Sequence, residues 1–263
     1  MRPQATIREK LRQGHTLTGM ILFTGSPMVV EMMASAAVDF VIIDMEHSAL
    51  DLDRAGHLIR AADAAGIVPF IRVPEVDAAL IKKLLNLGAQ GIALPHANRD
   101  NCAALLAAMR YAPEGERGVC PMVRAAGYTR GDWNAYAQRS NRELLAIPLL
   151  EDQASIDDFE AIAAMPGLDI FFVGPTDLGV SLGVAGATFD DPKLGRALET
   201  VVAAARRHNK HVMTTMGNAL DIAYGKRVVQ RGVQLLIYGT DADLFVDALK
   251  RLSAVKDRAP RET

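Results

Sequence analysis

Phe40-Val41-Ile42-Ile43-Asp44-Met45-Glu46-His47-Ser48 begins as an unbroken apolar run and ends in two carboxylates and an imidazole. Continuous Val- and Ile-rich sequence, rather than apolar–polar alternation, reads as a strand buried on both faces, as in a parallel sheet. Charge is costly to bury without a partner, so acids at the tip of such a strand point to a cavity or a ligand. Two later runs end the same way: Leu144 to Glu151, and Asp169 through Val173 to Gly174-Pro175-Thr176-Asp177. Three apolar strands that each deliver an acid or a histidine at the C-terminal tip describe one site.

Working outward, apolar runs recur at residues 18–23, 40–45, 68–73, 91–95, 144–151, 169–173, 211–215 and 233–238. Between them lie segments of helical periodicity, among them 52–65, 78–86, 101–110, 155–164, 194–208, 219–230 and 244–255. Gly66, Gly88 and Gly232 each precede a strand, where helix C-caps belong. Eight β/α units in about 250 residues is the arithmetic of a (β/α)8 barrel. A doubly wound sheet is the alternative, but no Gly-x-Gly-x-x-Gly follows the first strand. The reading is a barrel domain over 1–263 with an irregular insertion around 111–143, too long for an ordinary connection.

Composition narrows the function. A net charge of −2 argues against nucleic acid or an anionic membrane as partner. Cys102 and Cys120 have neither metal-ligand nor redox-pair spacing and read as ordinary reduced thiols. The charged N-terminus is unlike a signal peptide, and no run approaches the roughly 18 apolar residues of a membrane span. The expectation is a soluble cytoplasmic protein acting on small molecules, with a frayed polar stretch at 257–263.

A barrel gathers its chemistry at the C-terminal strand tips. Asp44, Glu46, His47, Arg72, Glu151 and Asp177 all fall there. Glu151 and Asp177 come from neighbouring strands and can share one divalent ion; two oxygen ligands suit Mg2+ or Mn2+ better than a closed zinc site. His47 is the natural proton carrier near neutral pH, with Asp44 close enough in sequence to orient it. Arg72 is a permanent cation suited to an oxyanion or a carboxylate. The plainer readings are that a strand-tip acid caps the next helix and that Arg72 pairs with Asp44 or Glu46. His96 is a secondary candidate beside Pro95. His57 reads as a surface residue, and His15, His208 and His211 have no constellation around them. Arg124 and Tyr128 suit either the far end of a substrate or a subunit contact.

Taken together, the chain resembles the HpcH/HpaI class of metal-dependent 2-oxo-acid aldolases. The resemblance is carried in order by Asp44-x-Glu46-His47, Arg72-Val-Pro74, Leu-x-Leu-Gly88-Ala-Gln90-Gly with Leu94-Pro95, Tyr111-x-Pro113-x-Gly115-x-Arg117-Gly118, Glu151, and Val-Gly174-Pro175-Thr176-Asp177-Leu-x-x-Ser-Leu-Gly183. It implies Glu151 and Asp177 as ligands of Mg2+, Mn2+ or Co2+, His47 with Asp44 as the base dyad, and Arg72 as the cation that stabilises an enolate. It also implies a substrate site built from Arg72, Gly174, Thr176 and Asp177, with Glu46, Asn86, His96 and Arg124 as secondary candidates. The implied reaction splits a 4-hydroxy-2-oxo acid into pyruvate and an aldehyde, in aromatic or sugar-acid catabolism. The implied assembly is a homo-oligomer, trimer or hexamer, with an exchanged C-terminal helix. No lysine occupies a strand tip in the apolar runs, which favours the metal route over imine chemistry. The chain departs from the family pattern at Leu149, where many relatives carry Gln, at Asn86, where many carry Asp at a position that can contribute to a neighbouring subunit's site, and at His96, where relatives often carry an apolar residue. Three other readings stay open: an oxaloacetate-type decarboxylase, a hydroxyacyl-thioester lyase, and a non-catalytic barrel that binds an oxo acid.

Overall fold

The computed structural model describes residues 6–128, 131–217, 221–253 and 255. Eight parallel strands close into a barrel in sequence order: β1 Leu17–Leu22, β2 Phe40–Asp44, β3 Val68–Arg72, β4 Gly91–Leu94, β5 Leu145–Leu150, β6 Ile170–Val173, β7 His211–Thr215 and β8 Leu235–Thr240. The expected (β/α)8 architecture is therefore the observed one.

The strands read as continuously apolar because they feed two cores. Phe40 and Ile42, Phe70, Ile147 and Leu149, Ile170 and Phe172, Met213, Leu235 and Ile237 fill the barrel interior. Val41, Ile43, Ile71, Leu150, Phe171 and Val173 face outward and pack under the helices. Side chains alternate with a period of two along a strand, so each inward row can be followed to its tip. Phe40 and Ile42 lead to Asp44, Phe70 leads to Arg72, and Ile147 and Leu149 lead to Glu151. Leu149, in the place of a family Gln, is thus the last apolar layer beneath the site. Gly19 is required beside Phe40 in the barrel, since a Cβ there would lie 2.2 Å from the Phe40 ring. Ile7 and Leu11, from the helix Ile7–Arg12, close the opposite end.

Gly66 and Gly88 end the helices Leu52–Ala65 and Ala78–Leu87 in the left-handed conformation, φ +75° and +112°, as expected. Several elements differ from the sequence reading, the short helices Ile7–Arg12 and Pro175–Ser181 among them. Residues 155–164 form two short helices, Gln153–Asp157 and Phe159–Ala163, because Asp158 ends the first and opens the second. The insertion is not irregular throughout: Trp133–Glu143 is a helix, capped by the Asp132 side chain and anchored by Tyr111, Trp133 and Tyr136, whose rings lie 5.0–6.2 Å apart. Pro27–Ser35 is a further helix that the periodicity did not single out. β8 runs on to Thr240, because a bulge in its pairing with β1 sets Ile21 opposite that residue. The stretch 257–263, expected to fray, lies outside the described residues, as do Ala219 and Leu220 of one expected helix. Among the described residues no helix is long and apolar enough to cross a membrane.

Candidate active site

Asp44 and Arg72 are register partners on β2 and β3, and this adjacency decides their pairing. Arg72 donates from Nε to Asp44 Oδ1 at 2.9 Å and from Nη2 to Oδ2 at 2.8 Å, a bidentate fork between two buried side chains. Its Nε also lies 3.2 Å from Glu46 Oε2. Nη1 is left without a partner among the described residues. The expected Asp44–His47 dyad is not what forms. Both Asp44 oxygens are held by the guanidinium, while the carboxylate beside His47 is Glu46, 3.5 Å from Nε2. The His47 ring is 57% exposed, so the one mobile base stands at the solvent edge of an otherwise locked group.

Glu46 and Glu151 are the strained charges. Burial pushes the Glu46 carboxyl above its ordinary range against the pull of Arg72 and His47. Burial likewise raises Glu151; the His96 peptide N–H opposes this, and the nearby charges of Glu46 and Asp177 reinforce it. Glu151 is 6% exposed, and its Oε2 accepts that N–H at 3.1 Å. The sequence offered His96 as an imidazole; the structure uses its backbone, bent to φ +50° to aim the N–H at Glu151. The imidazole itself is 70% exposed, with Nδ1 3.9 Å from the same oxygen.

Gly174 N-caps the helix Pro175–Ser181 directly after β6. A Cβ on Gly174 would sit 2.9 Å from Glu151 Cγ, so its bareness makes room for that carboxylate. Its own N–H donates to the Leu150 carbonyl at 3.1 Å. Pro175 has no N–H, so Thr176 and Asp177 present the first amides of the helix, with no carbonyl one turn back to receive them. Both residues are exposed at the mouth.

Asn86 and Arg124 do not reach this site. The connecting helices run opposite to the strands, so Asn86, near the end of Ala78–Leu87, lies at the far end of the barrel. Its Oδ1 accepts from buried Arg117 Nη2 at 2.9 Å. Arg124 donates to the Leu87 carbonyl at 3.0 Å and pairs with Asp63. Tyr128 is exposed beside them. His57 is exposed near Asp53, as the plainer reading had it, and His208 pairs with Glu160. Sequence reasoning passed over Asp241, although it follows an apolar run as Asp44 does. It is buried after β8 and accepts from the backbone N–H groups of Phe23, at 2.7 Å, and Thr24, at 3.1 Å, fixing the loop that leaves β1.

The donor set fits a hard divalent ion. Glu151 has one oxygen occupied by an amide and the other facing Gly174, and the charge of Asp177 bears on it. Among the described residues no three His, Cys, Asp or Glu side chains form a closed metal cage. Two carboxylates with the remaining positions open are what an ion that must also take substrate requires.

A parallel barrel with an acid pair, an imidazole and a fixed guanidinium at its strand tips defines a lyase-type active site. The profile of the HpcH/HpaI aldolase/citrate lyase family matches residues 18–248, and the chain belongs to that family. It is 34% identical over 252 residues to the hydroxypyruvate/pyruvate aldolase of Paraburkholderia phytofirmans, covering 93% of this chain and 95% of that one. It is 30% identical over 252 residues to the 2-keto-3-deoxy-L-rhamnonate aldolase of Salmonella gallinarum, covering 95% and 92%. Among solved structures, an HpcH/HpaI aldolase from Desulfitobacterium hafniense superposes with a TM-score of 0.89 at 29% identity, over 99% of this chain and 100% of that one. The chain is a carbon–carbon lyase, an aldolase.

Proposed function

We propose that the chain cleaves, and in reverse forms, a 4-hydroxy-2-oxo acid, with pyruvate and an aldehyde as the fragments. The observation that carries this reading is buried Glu151, held by one amide and crowded by the like charges of Glu46 and Asp177 beside the fixed Arg72. Glu151 and Asp177 would hold Mg2+, Mn2+ or Co2+. When bound, the ion supplies Lewis-acid stabilisation of enolate charge.

The chain's own residues do the rest. The amides of Thr176 and Asp177 receive the substrate carboxylate, and Asp177 thereby serves two groups with different atoms. Arg72 Nη1, the nitrogen left over from the Asp44 fork, faces the oxygen on which negative charge grows; the fork removes the cost of ordering it. His47 takes the proton from the C4 hydroxyl. The C3–C4 bond then breaks, its electron pair passes into the enolate, and the aldehyde departs; protonation at C3 gives pyruvate. Glu46 steadies the imidazole, the place expected of Asp44, while Asp44 acts through Arg72. Decarboxylation of an oxaloacetate-type acid is the second reading, favoured by one observation: Arg72 is fixed without help from His47.

We extend the reading to the assembly. The final helix, Asp241–Ser253, buries only Asp241 and exposes Phe245, Leu249 and Leu252. Beside its start an apolar cavity of about 730 Å³ is lined by Met216, Val229, Leu236 and Tyr238. Exchange of this helix with a second copy covers both surfaces in a homo-oligomer. Light scattering of Phe245→Asp/Leu249→Asp checks it, the expected result being monomers.

Proton–deuterium exchange of the pyruvate methyl group, followed by NMR in D2O with and without divalent metal, tests the chemistry without knowledge of the aldehyde. Metal-dependent exchange that is lost in His47→Ala and Glu151→Gln is the expected result. Absence of exchange with every metal overturns the pyruvate assignment.

A further inference from the structure

The opposite end of the barrel holds a second charged cavity that the lyase reaction does not use. It has a volume of about 460 Å³, within the range of small-molecule sites, and lies between the N-terminal helix and the starts of β5, β6 and β7. Four guanidinium groups, Arg8, Arg12, Arg110 and Arg142, line it against two carboxylates, Glu114 and Asp169. Both carboxylates are engaged: Asp169 by Arg8 and Lys210, Glu114 by Arg110 at 3.1 Å. Arg12 and Arg142 are exposed on the rim and form no ion pair with a carboxylate among the described residues. Half of the cavity's guanidinium charge therefore has no counter-charge among the described residues.

Two buried nitrogens add a second, independent observation. Arg8 Nε and His211 Nδ1, both on residues that line the cavity, are shielded from solvent and have no hydrogen-bond partner. Buried polar atoms without partners are rare, and leaving one unpaired is costly. Here both residues stand in the wall of a cavity with excess positive charge, a setting that favours an acceptor carrying negative charge. Guanidinium forks match phosphate and carboxylate oxygens, and their charge cannot be titrated away.

We propose that this floor cavity is a binding site for a small polyanion bearing phosphate or carboxylate groups, with Arg12 and Arg142 gripping from the rim and Arg8 and His211 in its wall. The site is separate from the mouth. β6, which joins Asp169 to the Gly174 turn, spans four residues, or roughly 13 Å at about 3.3 Å per residue.

Calorimetric titration of the metal-free full chain tests the proposal, with EDTA present and with inorganic pyrophosphate and citrate as separate probes at fixed ionic strength. The expected result is one site per chain for at least one probe; the probe that binds tells phosphate from carboxylate chemistry. Arg12→Ala/Arg142→Ala, which touches only exposed, unpaired side chains, weakens that binding by about tenfold or more, the order of charge-assisted hydrogen bonds. Arg8→Lys keeps the charge but removes the planar guanidinium fork and weakens it as well. Glu151→Gln, at the mouth, leaves it unchanged. Absence of binding by both probes, equal binding by the double variant, or loss in Glu151→Gln would overturn the assignment.

Discussion

The two ends of the barrel carry opposite charge, although one set of strands makes both. The mouth gathers Asp44, Glu46, Glu151 and Asp177 around a single Arg72, whereas the floor gathers four arginines around Glu114 and Asp169. Parallel strands place every C-terminal tip on one side, so residues at equivalent points of separate β/α units converge without contact in sequence. The ends also solve their charge problem differently. At the mouth Arg72 is held by Asp44 and Glu46, and the surplus carboxylates are left for a cation. At the floor the acids are spoken for, and the surplus is guanidinium. A divalent cation suits one end and a polyanion the other.

The sharpest way to break this contrast is at Arg72. Arg72→Met strands Asp44, which is 0% exposed, as an unpaired buried charge. Breaking such a pair costs about 3–5 kcal/mol, and loss of the donor costs turnover a further factor of roughly 10²–10³. Urea unfolding and steady-state aldol cleavage read the two effects, while polyanion binding at the floor stays as it was. An unfolding midpoint equal to that of the wild type would show that the fork is not structural.

His47→Ala comes next. Aldol cleavage falls by about 10²–10⁴-fold, the usual contribution of a positioned proton carrier. Stability changes by less than about 0.5 kcal/mol because the ring is largely exposed. Oxaloacetate decarboxylation persists, since its enolate needs no base. Equal loss of both activities would argue against the role given to His47.

Metal should stabilise the mouth selectively. At a hundredfold excess over the dissociation constant, Mn2+ adds about 2.7 kcal/mol to the folded state, visible as a rise in Tm. In Glu151→Gln the affinity falls by more than about 100-fold, since even residues behind a ligand account for about 10–100-fold, and the rise disappears. A Tm rise retained in Glu151→Gln would place the ion elsewhere.

The smallest effect belongs to the floor. Burial holds the His211 imidazole below its ordinary 6.5, with Asp169 opposing this shift and Arg8 and Lys210 adding to it. Above that pH both folded and unfolded chains leave the ring neutral. As pH falls through 6.5 the unfolded chain takes up the proton first, so stability declines until the lower folded value is passed. His211→Gln flattens this slope in urea titrations between pH 7 and 5, and a bound polyanion flattens it too. A slope unchanged by His211→Gln would assign the decline to other groups.

Much of the molecule was legible in the chain because parallel, doubly buried strands leave an unmistakable trace. All eight runs became strands, and the inward rows ending in Asp44, Arg72 and Glu151 carried the site residues to the mouth. Trp133–Glu143 was not legible, because its sequence is mostly polar and its two rings, Trp133 and Tyr136, find their anchor in Tyr111, which lies outside the helix. The contacts of Arg124 and Asn86 were not legible either, since their partners, Asp63 and Arg117, are distant in sequence. His211 looked solitary because what surrounds it comes from the N-terminal helix and from the approaches to β6 and β7.

The sequence by itself determined the barrel, the family and which residues stand at the strand tips, because apolar periodicity and chain direction are local properties. Only the tertiary structure decided who holds whom. Register across β2 and β3 gave Asp44 to Arg72 instead of to His47, a left-handed turn made the His96 amide the support of Glu151, and the bareness of Gly174 makes room for that carboxylate. Pairing depends on distances between separate strands and on the direction each side chain leaves its backbone, and no spacing along a single chain encodes either.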